Sequence, residues 1–195
     1  MKLGLYGGTF DPPHNGHLAI AQQCLTRFQL NRILFIPTYI APHKTSREIS
    51  TARDRLAMLR LALQPFPDFE ISKVEIERRG VSYSIDTILQ IKKELNLERK
   101  DLYFLIGIDS LAEFHSWYQP QRIMAEVQVV VADRPQYSLS DIAVEFCEQV
   151  EFLSNPLIDI SASTIRQRVK NGEPICGLVP EKVAEYIHCH QLYKS

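Results

Sequence analysis

Gly7-Gly8-Thr9-Phe10-Asp11-Pro12-Pro13-His14-Asn15-Gly16-His17 stands between two patterned segments. Before it, Lys2–Tyr6 is a short apolar run. After it, Leu18, Ala21, Leu25 and Phe28 recur at i, i+3, i+7 and i+10, one face of a helix. Strand, glycine-bearing turn and helix in that order open a βαβ unit. Such a turn lies at the carboxyl end of its strand, where open parallel sheets bind ligands. Gly7 and Gly8 let a ligand approach the backbone, and the following helix offers its first N–H groups to an anion. A strand-to-helix turn with no ligand would use the same two glycines.

Outward from this turn the alternation continues. Arg32–Ile36, Glu70–Ile76, Asp101–Ile106, Gln128–Ala132 and Val150–Leu153 read as further strands. A helix is predicted from Thr51, where Thr51 and Asp54 have capping-box spacing, through Leu56, Leu59 and Leu63. Another runs from about Ser84 to Leu95, and Ser110 with Glu113 predicts one beginning just after Asp109. Strands alternating with helices of this length predict an α/β fold, a Rossmann-like, doubly wound parallel sheet with right-handed crossovers. Past residue 160 the pattern turns helical. Ser161–Lys170 reads as a short helix closed by Asn171-Gly172, and Pro180 opens a last one at N1, with Val183, Ala184 and Ile187 inward. One domain is expected over residues 1–195, with a short helical C-terminal extension at about 161–195. Thr38–Ser50 and Asp133–Ser140 read as the longest loops.

Composition narrows the function classes. With 195 residues, 45% of them hydrophobic, the chain buries an ordinary core. A net charge of −1 lacks the basic excess that duplex nucleic acid requires, so no nucleic-acid partner is expected. The four cysteines (Cys24, Cys147, Cys176 and Cys189) form no CxxC pair, which fits reduced thiols and a cytoplasmic location. No apolar run is long enough to span a membrane. A homo-oligomer is compatible with these features.

Three places carry chemistry by residue type. His14 and His17 lie three apart around a helix start, with Gly16 between them for close approach. Such a pair serves as a surface or capping feature, as a metal site, or as donors to phosphoryl oxygens; the carboxylate that HExxH supplies to hydrolytic zinc is missing. In Ile160-Ser161-Ala162-Ser163-Thr164-Ile165-Arg166, Ser161 or Ser163 can cap a helix, and Arg166 adds a fixed charge one turn on. A plain capped helix with a solvated arginine has the same pattern. Gly107-Ile108-Asp109 ends a strand at the ligand edge, with Phe114, Trp117 and Tyr118 following, where an Asp is often only a turn former. His188-Cys189-His190 is no metal site, because adjacent helical residues point in different directions.

Gly7 to Leu18 as a whole resembles the signature of the HxGH nucleotidyltransferase superfamily, and more narrowly that of the bacterial nicotinate-mononucleotide adenylyltransferases. The segment 160–166 is similar to that family's ISSTxIR, departing from it at Ala162 and Ser163, and residues 107–117 to its GxDxxxxFxxW element. The resemblance runs from Gly7 to Arg166. It implies an enzyme that joins ATP and nicotinate mononucleotide into deamido-NAD and pyrophosphate, with Mg2+ carried by the ATP and no metal-ligating set in the chain. It assigns catalysis to His14, His17 and Arg166. ATP contacts fall on Gly7, Gly8, Thr9, Phe10, Gly16, Gly107, Asp109, Arg134, Ser161, Ser163 and Thr164. Substrate contacts fall on Lys44, Tyr83, Thr87, Trp117 and Tyr118: Trp117 as a stacking platform, and Thr87 and Tyr118 through N–H groups facing the nicotinate carboxylate. Rival readings are a phosphopantetheine or nicotinamide mononucleotide adenylyltransferase and, from another class, a non-catalytic nucleotide-binding module.

Overall fold

Side chains along β1 (Leu3–Gly8) alternate between two layers: Leu3 and Leu5 join one cluster of buried residues, Tyr6 the other. The same division recurs in β2 (Arg32–Pro37), with Ile33 and Phe35 on one face and Leu34 and Ile36 on the other. It recurs again in β4 (Leu102–Gly107), with Tyr103 and Leu105 opposite Leu102, Phe104 and Ile106. A strand apolar on both faces belongs in a parallel sheet covered by helices on both sides. The computed structural model, which describes residues 1–40, 49–132, 146, 148–153 and 160–194, has that architecture.

Its sheet holds six strands in the order β3-β2-β1-β4-β5-β6, with every neighbouring pair parallel. β3 is Phe69–Ile71, β5 Gln128–Ala132 and β6 Glu151–Leu153. The order reverses between β1 and β4, so the crevice at their carboxyl ends is the switch point where such sheets take ligands. Gly7, Gly8 and Gly107 all lie there.

One face is covered by α1 (Asn15–Arg27), α2 (Ala52–Leu63) and the C-terminal helices, through Leu18, Ala21, Met58, Leu59, Ile165, Val183 and Ile187. The other carries α3 (Val74–Arg78), α4 (Ser84–Glu94), α5 (Ile108–Ala112) and α6 (Pro120–Glu126), through Val74, Ile85, Ile88, Leu111 and Ile123. The C-terminal helices are α7 (Ala162–Lys170) and α8 (Glu181–Cys189). Thr51 caps α2 as its spacing predicts, its hydroxyl accepting from the Asp54 N–H at 3.2 Å.

Three expectations need correction. The strand predicted over Glu70–Ile76 ends at Ile71, and Val74–Arg78 is helical. β3 pairs with β2 only from Phe69 to Ile71, and beyond it the Glu77 N–H donates to the Lys73 carbonyl at 2.8 Å, a helical turn. The helix expected after Asp109 starts at Ile108, because extended Gly107 takes the N-cap position directly at the strand end, and it stops at Ala112. Pro180 is the N-cap of α8 rather than its first residue. Ser84 is the first residue of α4, where the helix was expected to begin; Tyr83 holds the N-cap position and makes no side-chain cap bond. α6 lies where no element was expected. Pro120 sits at its first turn, where a missing N–H costs nothing.

Candidate active site

The first crossover turn is closed by its own histidines. His14 is the N-cap of α1 and His17 is its third residue. The His14 Nδ1 accepts from the His17 N–H at 3.3 Å, and the His17 Nδ1 accepts from the His14 N–H at 3.2 Å. This is a capping box built from imidazoles rather than from a hydroxyl and a carboxylate. The two rings stack with centroids 3.6 Å apart. With both Nδ1 atoms accepting, each neutral ring carries its proton on Nε2, which makes it a donor. His14 is 2% exposed and His17 half-buried. Gly16 is buried beside them in the first turn of the helix.

Phe10 anchors the turn from below. Its backbone sits at φ +50°, strained for a residue with a side chain, while its ring is buried edge-on to Tyr6 and His17. Its contribution at the site is therefore a matter of backbone position. Gly8 is needed there because an added Cβ would meet the Phe10 ring at 3.0–3.3 Å.

Asp11 accepts three hydrogen bonds among the described residues. Its side chain is 2% exposed; Oδ2 accepts from the Ser50 N–H at 2.9 Å and Oδ1 from the Tyr193 hydroxyl at 2.5 Å. Its carbonyl accepts from Arg166 Nη1 at 2.8 Å. Arg166 thus arrives from the far end of the sequence at the turn that bears His14 and His17. The N-terminus of α7 comes with it: Ser161 is the cap, accepting from the Thr164 N–H at 3.1 Å, and its hydroxyl lies 2.9 Å from that of Ser163 and 2.8 Å from that of Thr164. Of the two serines proposed as the cap, the structure selects Ser161.

A cavity of about 650 Å3 opens at the switch point. Gly7, Gly8 and Thr9 line it from β1 and its turn, Gly107 from β4, and Tyr83, Thr87, Trp117 and Tyr118 from the opposite layer. Trp117 packs at a tilt on Phe114 and edge-on to Phe104, which holds its indole in place, and exposed Tyr118 leans on Tyr83 with centroids 4.7 Å apart. His14, His17, Asp109 and Arg166 do not line this cavity; His14 and His17 stand at the start of α1, Asp109 in α5 and Arg166 in α7. Asp109 is exposed, and its carboxylate folds back over Gly107, where a Cβ would lie 2.3 Å from Oδ1. The Thr87 N–H, read from resemblance as facing a carboxylate, donates at 3.3 Å to the Tyr83 carbonyl within α4. Lys44 and Arg134 lie outside the described residues.

Several residues at the site were not singled out by sequence. Arg55 is 2% exposed and binds the turn from α2, donating to the Thr9 carbonyl at 2.8 Å and to the Ser50 carbonyl at 3.2 Å. Burial lowers the affinity of its guanidinium for a proton, and the nearby Asp11 charge works against that. Its signal was available: Arg55, Met58, Leu59 and Ala62 are spaced i, i+3, i+4, i+7, so a charge occupies the buried stripe. Glu75 lines the cavity with Oε1 accepting from the Thr87 hydroxyl at 2.8 Å, while that hydroxyl accepts from Arg78 Nη2 at 2.8 Å. Its Oε2 is buried without a hydrogen bond, although Ser82 lies close enough to favour the charged form. Burial pushes the Glu75 carboxyl above the usual carboxylate range, against the Thr87 bond, and the burial effect dominates.

Residues 5–168 match the family described as Cytidylyltransferase-like. The nicotinate-nucleotide adenylyltransferase of Bacillus subtilis is 36% identical over 194 residues, covering 100% of this chain and 99% of that one. The "Probable nicotinate-nucleotide adenylyltransferase" of Thermomicrobium roseum is 41% identical, covering 100% of this chain and 92% of that one. Among solved structures, the Plasmodium falciparum nicotinic acid mononucleotide adenylyltransferase complexed with NaAD superimposes with a TM-score of 0.78 at 15% identity, covering 98% of this chain and 97% of that one. At that identity the likeness supports the fold.

Proposed function

Because this chain belongs to the cytidylyltransferase-like family and, within it, to the nicotinate-nucleotide adenylyltransferases, we propose that it transfers the adenylyl group of ATP to nicotinate mononucleotide, yielding deamido-NAD and pyrophosphate. The observation that carries this reading is the bond from Arg166 to the Asp11 carbonyl, three residues before His14, which gathers a guanidinium and two imidazole donors on one turn.

In the proposed reaction the phosphate of the acceptor nucleotide attacks the α-phosphorus of ATP in line, the bond to the bridging oxygen breaks, and pyrophosphate departs. No covalent bond to the enzyme forms, so catalysis consists of positioning and charge stabilisation. His14 and His17 donate Nε2–H to phosphoryl oxygens, Arg166 holds the departing pyrophosphate, and Asp109 with Gly107 takes the adenosine ribose. The cavity wall of Tyr83, Trp117 and Tyr118 takes the pyridine ring, whose stacking contributes on the order of 1–3 kcal/mol. Among the described residues no three His, Cys, Asp or Glu side chains gather to hold a metal. A Mg2+ entering with ATP would be held by phosphate oxygens and water and would supply charge neutralisation there. No described helix is long and apolar enough to cross a membrane, and we assign the reaction to the cytoplasm.

The test supplies ATP and Mg2+ with one acceptor at a time, nicotinate mononucleotide, nicotinamide mononucleotide or phosphopantetheine, and follows pyrophosphate and the dinucleotide. Nicotinate mononucleotide is expected to give the fastest turnover. Rapid turnover with phosphopantetheine alone overturns the substrate assignment, and absence of pyrophosphate with all three overturns the activity.

A further inference from the structure

The C-terminal segment touches the catalytic turn at more places than Arg166. The carbonyls of Gly177 and Leu178 accept from the Asn15 side chain at 2.8 Å and the Asn15 N–H at 2.9 Å, which ties down the first residue of α1. Beyond them, α8 docks on α2, with the Tyr186 hydroxyl donating to Asp54 Oδ1 at 2.9 Å and Lys182 Nζ to Gln64 Oε1 at 2.7 Å. The Leu192 N–H then closes on the Ile187 carbonyl at 3.0 Å, and Tyr193, at φ +64°, turns the chain back under the site. There the Tyr193 hydroxyl donates to Asp11 Oδ1, and its oxygen lies 3.9 Å from Met58 Sδ.

We propose that Tyr193 is a positioning residue of the active site, fixing Asp11 so that the Asp11 carbonyl holds the Arg166 guanidinium beside His14 and His17. Each carboxylate oxygen of Asp11 has one donor, Tyr193 on Oδ1 and the Ser50 N–H on Oδ2, and bonds to an ionised acceptor are the short, directional kind. With both oxygens fixed, the orientation of the residue is fixed, and with it the direction of the carbonyl that receives Arg166 Nη1 at 2.8 Å. Nothing else on the tail bonds to Asp11 among the described residues, so the hydroxyl is the tail's contribution to that orientation. Burial and the Asp11 charge both hold the phenol in its protonated, donating form. A hydroxyl 182 residues along the chain thereby sets where a fixed positive charge stands.

This inference rests on the role given to Arg166 above, so its test reads the anion subsite directly, through calorimetric binding of inorganic pyrophosphate to the full chain. Tyr193→Phe keeps the ring and removes only the hydroxyl. It is expected to weaken pyrophosphate binding about tenfold, the scale of one hydrogen bond to a charged group, and to lower kcat with little change in KM for the acceptor nucleotide. Placed on Arg166→Ala, the same substitution is expected to cost nothing more, since the two act as one unit. Tyr186→Phe serves as the control for tail docking: it loosens α8 from Asp54 and is expected to lower the melting temperature while leaving pyrophosphate affinity at the wild-type value. Wild-type affinity in Tyr193→Phe, additive losses with Arg166→Ala, or an equal loss of affinity in Tyr186→Phe would each overturn the proposal. Coupled pyrophosphate binding in a protein that turns over no acceptor would uphold it while sinking the assigned reaction. Turnover without coupling would do the reverse.

Discussion

The imidazoles of His14 and His17 each spend Nδ1 on the other's backbone N–H, so the same bonds that cap α1 also set the tautomer. Structure and chemistry are therefore separable by substitution. His17→Ala removes one side of the capping box, at about 1 kcal/mol of stability, and one preorganised donor, at about 10²–10³ in kcat. Calorimetry alongside steady-state kinetics checks both, and normal turnover in a folded variant contradicts the assignment. Gly7 gives the complementary case. An added Cβ would have Phe104 as its nearest protein neighbour at 3.9 Å, so Gly7→Ala meets no clash in the protein, yet Gly7 lines the cavity. The expected outcome is an unchanged melting temperature with KM for ATP raised about tenfold, by crowding of the bound ligand. A destabilised variant with normal KM would place the methyl against protein instead.

At the scale of elements, the link from α3 to α4 is held by a polar trio, buried Glu75 and Thr87 with exposed Arg78. Glu75 binds its proton more tightly in the folded chain than an ordinary glutamate does, so the folded state takes up the proton first. Stability on this account falls as pH rises from the usual glutamate range, about 4.3, through the elevated folded value. Glu75→Gln is expected to flatten that slope, read as denaturant midpoints between pH 4 and pH 8; parallel slopes in the two proteins would refute it. Much of the frame was legible from local pattern: β1, β2, β4, β5, α1, α2 and the cap at Thr51 all follow from periodicity and capping residues. α3 and α6 were not, because helices of 5 and 7 residues are too short to display a repeat. The first crossover turn and Arg166, which the fold brings together, stand in the sequence as local strings. Arg55 showed only as a charge in the buried stripe of α2, and Tyr193 not at all, since their partners lie 46 and 182 positions away.

Across the whole molecule, the cysteines differ in their exposure to reagents. Cys24 lies fully inside the layer formed by α1 and α2, and burial pushes its thiol up to about 12, whereas Cys176 and Cys189 are exposed. Because the thiolate is the reactive form, alkylation at pH 8 followed by peptide mapping is expected to modify Cys176 and Cys189 first and Cys24 only after unfolding. Early modification of Cys24 would mean that this layer opens readily. The same layer carries the tie between Tyr193 and Asp11, and that tie has a consequence for how the protein is born. A ribosome releases the Asp11 turn first and Tyr193 182 residues later, roughly 9–36 s at cellular elongation rates. Before that interval ends β4 has emerged and completed the crevice, but the last anchor beneath it arrives only with Tyr193, so a polypeptide stalled short of its tail is expected to hold polyphosphate more weakly.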